Sequence, residues 1–157
     1  MALEESAEVG VITQNVDGFH VDVGSSTVIE LHSNLSDLFC TQCDARLSVR
    51  DYAAITIPPG YDQCASLMRQ SVVLFGEMLP DAAIIKYDEI FQSRFYLVFA
   101  IGTTADFPYI YELVADASRQ GVTTVEINPD ETPLSDAVTH RFNNGAGTAL
   151  KEILNAM

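Results

Sequence analysis

Basic residues are scarce in this 157-residue chain: 8 lysines and arginines stand against 22 aspartates and glutamates, a formal net charge of -14. So acidic a surface repels phosphate backbones, and no local basic patch relieves it, which argues against nucleic acid as a partner. A basic partner or peptide is electrostatically easier. Long apolar runs are also missing, so no segment reads as a membrane span and no membrane partner is expected. The N-terminal stretch MALEESAEVG is acidic where a secretory signal is basic, and the expected compartment is the cytoplasm. Cysteines are few and odd in number, Cys40, Cys43 and Cys64, which argues against a disulfide framework. Internal repeats and low-complexity tracts are absent. What remains is 48% hydrophobic and 19% charged, the balance of a globular chain, and the length suits one domain across residues 1–157.

Four apolar runs predict buried strands: VGVIT at 9–13, SVVLF at 71–75, FYLVFAIG at 95–102 and VTTVEIN at 122–128. They are rich in Val, Ile and Phe and hardly alternate, as strands covered on both faces should be. Helical patterns lie between and after them. PDAAIIKYDEIF opens on Pro80 and Asp81, PYIYELVADASRQG runs from Pro108 to Gly121, and GTALKEILNAM carries Leu150, Ile153 and Leu154 along one stripe. Strand alternating with helix predicts an α/β fold with a parallel sheet, whose ligands bind outside the carboxyl ends of the strands. Three such ends read TQNVD, GTTADF and INPDET. Residues 33–70 break the pattern with the cysteines and a PPG turn, and read as a small module inserted between sheet strands. Within it Cys40 and Cys43 have the spacing of half a zinc knuckle.

The order of the motifs says more than any one of them. ITQNVDGFH, VIELHSN, C-x-x-C, a lone Cys, VVLFGEMLP, IGTT and VEINPDET, taken together from residue 11 to residue 154, resemble the sirtuins, NAD-dependent protein-lysine deacylases. The resemblance implies a partial Rossmann-like, doubly wound parallel sheet, NAD as cofactor and an acylated lysine in a protein or peptide as substrate. It also implies the reaction: the acyl oxygen attacks the nicotinamide ribose, nicotinamide leaves, and the acyl group passes to ADP-ribose. His32 matches the family's general base, and an imidazole exchanges protons near neutral pH. Gln14, Asn15 and Asp17 match residues at the nicotinamide and ribose end, with Asn15 and Asp17 counted as catalytic beside His32. Amides both donate and accept, which suits sugar hydroxyls and a carboxamide. Gly102, Thr103 and Thr104 match the turn beside ribose and phosphates, Asn128 the residue on the adenine-side ribose, and Gly145 and Ala146 the adenine contact. Val73 and Phe75 match the tunnel for the acyl-lysine stem, while Gly76 and Glu77 offer main-chain groups to a peptide added as a strand. His20 reads as structural and His140 as a surface residue.

The chain departs from the family pattern in three places. Ser33 follows His32 where the family usually has glycine. Tyr61 stands where the third cysteine of the zinc module belongs, and a phenol with a pKa near ~10 is a poor zinc ligand. Cys40, Cys43 and Cys64 are therefore the metal candidates with the fourth ligand missing. Two outcomes stay open: a site that is metal-free or holds zinc only labilely, or one completed by water, Asp62 or Asp44. Third, the glycine-rich phosphate loop, the Asp-Phe-Arg loop and the first sheet strands have no counterpart before Val11. The expectations that follow are weak NAD binding by the isolated chain, deacylation that requires a complementing N-terminal half, and self-association through an uncovered sheet edge. The alternative function is a non-catalytic remnant acting as a binding or self-associating module.

Overall fold

Two units divide the chain, one ending at Ile90 and the other beginning at Phe91, in a computed structural model that describes residues 3–156. In the first unit β1 (Gly10–Thr13) lies parallel to β2 (Thr27–Glu30), with Val11 opposite Val28 and Ile12 opposite Ile29. Parallel neighbours cannot be joined by a hairpin, so the chain travels through residues 14–26, including the one-turn helix α1 (Phe19–Asp22), before returning. β2 was not among the expected strands; four residues of TVIE inside a motif carry too little periodicity to announce one.

A second sheet in this unit is antiparallel, built from β3 (Asp37–Cys40), β4 (Arg46–Ser48), β5 (Gly60–Tyr61) and β6 (Ser66–Gln70) in the order β4-β3-β6-β5. Leu38, Val49 and Met68 are buried together beneath it, with Tyr52, Ile55 and Tyr61 packed around them. The strand expected at residues 71–75 is not found. The strand ends at Gln70; the Ser71 amide still donates to the Asp37 carbonyl of β3 at 2.7 Å, and residues 71–74 belong to no strand among the described residues. Val-Val-Leu-Phe has strand composition, but a strand also needs a neighbour, and here Phe75 projects fully exposed. Helix α2 (Asp81–Phe91) closes the unit, its first turn capped by the Pro80 carbonyl, which accepts from the Ala83 and Ile84 amides at 2.9 and 3.1 Å. A Cβ added to Gly10 would stand 3.1 Å from Ile90 Cδ1, so the missing side chain lets α2 lie close on β1.

The second unit is a three-stranded parallel sheet in the order β7-β8-β9, formed by Leu97–Ile101, Thr123–Ile127 and His140–Phe142. Helix α3 (Pro108–Arg119) connects the first two, with proline in its opening turn and Gly121 at φ 80 just beyond its end, as the sequence pattern predicts. Helix α4 (Ala146–Ala156) follows β9. Strand alternation splits the core. Val98, Ala100, Val114, Ala117 and Leu134 form one cluster; Val125, Ile127 and Ala149 form the other with Phe99, Leu150 and Ile153. β8 is thus covered on both faces, and four of its five residues are buried.

One of those residues is charged. Glu126 is 1% exposed, and its carboxylate accepts from Ser135 Oγ at 2.7 Å, Arg141 Nε at 3.0 Å and Thr132 Oγ1. The arrangement pins the loop after β8 to the sheet. His140 is exposed at the start of β9, as expected. Among the described residues no helix is long and apolar enough to cross a membrane.

Candidate functional site

The residues singled out in the first unit follow the carboxyl ends of β1 and β2. The Leu31 amide donates to the Thr13 carbonyl at 2.9 Å, which carries the strand pairing one step further and sets His32 beside the TQNVD segment. There the Asn15 amide donates to Thr13 Oγ1 at 3.1 Å, and Asp17 Oδ1 accepts from the Phe19 amide at 3.1 Å at the start of α1. Gln14 is half-buried, whereas Asn15 and Asp17 are exposed. His20, in α1, is half-buried and bonds through its carbonyl to the Ser25 amide.

His32 is half-buried after the fully buried Leu31, and its carbonyl accepts from the Val73 amide at 3.1 Å. The structure therefore joins His32 to residues 71–77. Ser33, next in the chain, has φ 58, the left-handed region that costs an L-residue steric energy and glycine none. Asn34 was not singled out from the sequence. It donates to Glu30 Oε2 at 2.8 Å and accepts from the Asp37 amide at 2.9 Å, which braces the bend after His32.

Arg69 was also missed. It reaches over the Phe39 ring at 5.0 Å and grips Glu77 with two parallel bonds, Nη1 to Oε1 at 2.7 Å and Nη2 to Oε2 at 2.9 Å. The same Nη2 donates to the Val72 carbonyl at 2.9 Å, and Glu77 Oε2 accepts from the Leu74 amide at 2.9 Å. With Gly76 at φ 87 this clasp bends residues 74–77 into a turn that projects Phe75. The Arg69 guanidinium, helped by the Leu74 amide, lowers the Glu77 carboxyl to about 2. Glu77 thus works through its side chain as an anchor, in addition to the main-chain groups expected of it. A cleft of about 370 Å³ lies alongside, lined by Leu35, Arg69, Gln70, Val72 and Leu74.

In the second unit every residue singled out follows the carboxyl end of a parallel strand. Gly102 (φ 60), Thr103 and Thr104 follow β7, Asn128 follows β8, and Gly145 and Ala146 lie between β9 and the first turn of α4. The Asn128 side chain, nearly buried, donates to the Thr103 carbonyl at 3.0 Å and accepts from the Asp130 amide at 3.1 Å, tying two of these turns together. Such an edge, where several loops meet beyond the strands, is where α/β sheets take ligands.

The three cysteines of the first unit converge, all three sulfurs lying within 4.8 Å of one another. Cys64 Sγ is 3.4 Å from Cys40 Sγ and 3.7 Å from Cys43 Sγ. Zinc–sulfur bonds of about 2.3 Å in a tetrahedron place neighbouring sulfurs about 3.8 Å apart, so these thiols fit three vertices of a zinc site. The Gln42 amide bonded to Cys40 Sγ brings that thiol down to about 7 against the opposing effect of burial. Cys43 moves the other way: the Ala45 amide pulls it down, but hydrogen bonding with Cys40, burial and the neighbouring thiolate outweigh that pull. Among the described residues no imidazole or carboxylate oxygen lies within the same reach of the three sulfurs.

The Sir2 family model matches residues 1–107. The chain belongs to the Sir2 family. Among its sirtuin relatives is NAD-dependent protein deacylase 2 of Pseudomonas aeruginosa, 36% identical over 151 residues, which cover 94% of this chain and 59% of the relative. A solved Sir2 homolog in complex with NAD superposes with a TM-score of 0.88 at 34% identity, covering 99% of this chain and 60% of that one. A second structure, of Sir2 with a p53 peptide and NAD+, gives a TM-score of 0.85 at 32% identity over 98% of this chain and 65% of that one. The sirtuin chain described here thus spans about three fifths of the length of the curated relatives it matches. Its fold is the Rossmann-like α/β class expected from the sequence, with a three-cysteine cluster.

Proposed function

We propose that this chain takes part in NAD-dependent protein-lysine deacylation, the transfer of an acyl group from lysine to ADP-ribose with release of nicotinamide. The observation that carries the reading is the bond between the His32 carbonyl and the Val73 amide. It sets the residue that carries a proton-exchanging side chain one hydrogen bond from a segment that lies outside the sheet ladders and, in this reading, accepts a peptide as an added strand. Membership of the family and relatives named as NAD-dependent protein deacylases support the same reaction.

In this reading His32 takes the proton from a ribose hydroxyl, and Asn15 and Asp17 orient the groups at that end of the cofactor together with Gln14. Gly102, Thr103 and Thr104 receive ribose and phosphate oxygens, Asn128 the second ribose, and Gly145 and Ala146 the adenine. Bound NAD supplies the ribose that receives the acyl oxygen and the nicotinamide that departs. Val73 and Phe75 flank the acyl-lysine stem of a protein or peptide substrate, and Gly76 and Glu77 shape the turn beside it. The portion of the relatives' length that this chain does not span supports a further proposal, that activity uses a complementing segment. Homo-oligomer formation is proposed from the two-stranded β1-β2 sheet, in which each strand has one neighbour among the described residues. Three free thiols favour a reducing compartment such as the cytoplasm. Residues 33–70 are proposed as an inserted module.

The test is deacylation of an acyl-lysine peptide by the full-length protein, read by mass spectrometry with and without NAD. His32→Ala should lower the rate by about 10²–10⁴-fold, the usual contribution of a positioned general base, while circular dichroism stays unchanged. His20→Ala should do much less. Full activity in His32→Ala would remove the assignment.

A further inference from the structure

The thiols of Cys40, Cys43 and Cys64 make a three-sided cluster that no histidine, carboxylate or further cysteine among the described residues closes, and residue 61 bears on why. The Tyr61 carbonyl accepts from the Ala65 amide at 2.8 Å, which closes a tight turn around Cys64 and brings its sulfur to the other two. The Tyr61 side chain packs instead against Leu38, Val49 and Met68, all less than a tenth exposed. The half-buried ring thus packs on the apolar cluster, and a tyrosine there supplies no thiolate to the three sulfurs. Cys40 is buried at the base of the cluster, whereas Cys43 and Cys64 are exposed, so a ligand from solution can reach it.

We propose that the cluster is an open three-thiolate site, which binds a thiophilic divalent cation such as zinc and takes its fourth ligand from solution. Four-coordinate zinc among three thiolates keeps one position for an outside ligand, as closed structural sites do not. Water fills it, and a small thiol replaces the water. The entering thiol gives its proton to solvent as the water leaves, and nothing is oxidised or reduced. Soft sulfur donors favour this exchange, because the cation already sits among three of them. The module then responds to the thiol content of its surroundings. It also gives up its cation more readily than a site closed by four cysteines.

The experiment uses the reduced full chain with cobalt(II) as the spectroscopic probe. One cobalt per chain should bind with thiolate-to-metal absorption in the near ultraviolet and ligand-field bands in the visible. Titration with mercaptoethanol should shift the visible bands saturably. Tyr61→Cys should start with bands like those of the thiol-loaded native chain and ignore added thiol. It should also hold zinc about a hundredfold more tightly against a competing chelator, one ligand's share of a closed structural site. Failure of cobalt and zinc to bind the native chain at one per chain overturns the proposal. Visible bands that ignore thiol in the native chain overturn it equally. If Tyr61→Cys does not fold, the titration of the native chain decides alone.

Discussion

Glu126 offers the sharpest test of how the second unit is held together. Its carboxylate is 1% exposed and takes hydrogen bonds from Thr132, Ser135 and Arg141, whose own side chain is 20% exposed. Removing one partner of a buried ion pair leaves the other charge desolvated and uncompensated, at a cost of roughly 3–5 kcal/mol. Glu126→Ala leaves Arg141 only the exposed Glu131 carboxylate at 3.6 Å and also strips two hydroxyls of their acceptor, so a loss of about 4 kcal/mol is expected. For a chain of this size that corresponds to a fall in melting temperature of roughly 8–16 °C. Glu126→Gln keeps the shape but turns an amide donor toward other donors, and should cost about half as much. Replacing the pair together, Glu126→Leu with Arg141→Leu, should recover much of the loss, because an apolar pair of similar volume avoids the desolvation penalty. Urea unfolding followed by circular dichroism reads all three variants without the ionic screening that guanidinium brings. A loss below about 1 kcal/mol in Glu126→Ala, or a double variant no better than the single one, would refute the reasoning.

Two further outcomes follow from the first unit. Glu77 titrates at about 2 in the folded chain against an ordinary 4.5, so the clasp contributes fully above pH 4.5 and is lost as pH falls toward 2. The Leu74 amide resonance should report that loss over this window, and Arg69→Gln should move the transition up toward the ordinary carboxylate range; an unmoved profile would count against the clasp. Ser33→Gly should stabilise the fold by about 0.5–1 kcal/mol, since φ 58 penalises serine and not glycine. Chemical denaturation that shows destabilisation instead would mean the serine side chain contributes more than the strain costs.

Much of the second unit was legible in the sequence because its local signals agree with each other. Val-rich runs give β7 and β8, Pro108 and Gly121 bracket α3, and the apolar stripe of Leu150 and Ile153 gives α4. The first unit was harder. The strands of its antiparallel sheet are two to five residues long, with polar members such as Arg69 and Gln70, too short for periodicity to register. Residues 71–75 misled for the opposite reason, since strand composition is local whereas strand pairing is not. The site residues came from motif order, which carries identities and little geometry. Arg69 and the partners of Glu126 were invisible because a charged residue in a strand reads as solvent-facing until its partners are known. Tyr61 was legible as a substitution, but its commitment to the core beneath the module was not.

The clasp of Arg69 on Glu77 and Val72 also has an entropic meaning. Fixing the backbone of one residue costs roughly 1–2 kcal/mol, and a segment outside the sheet ladders would ordinarily meet much of that cost only when a partner arrives. Here residues 72–77 are held in a single shape by bonds within the unit, so much of their ordering is complete before any encounter. In the proposed reading, a peptide strand adding along this segment would have mainly its own freedom to lose. Loosening the clasp would then weaken association without removing a single contact between the two chains.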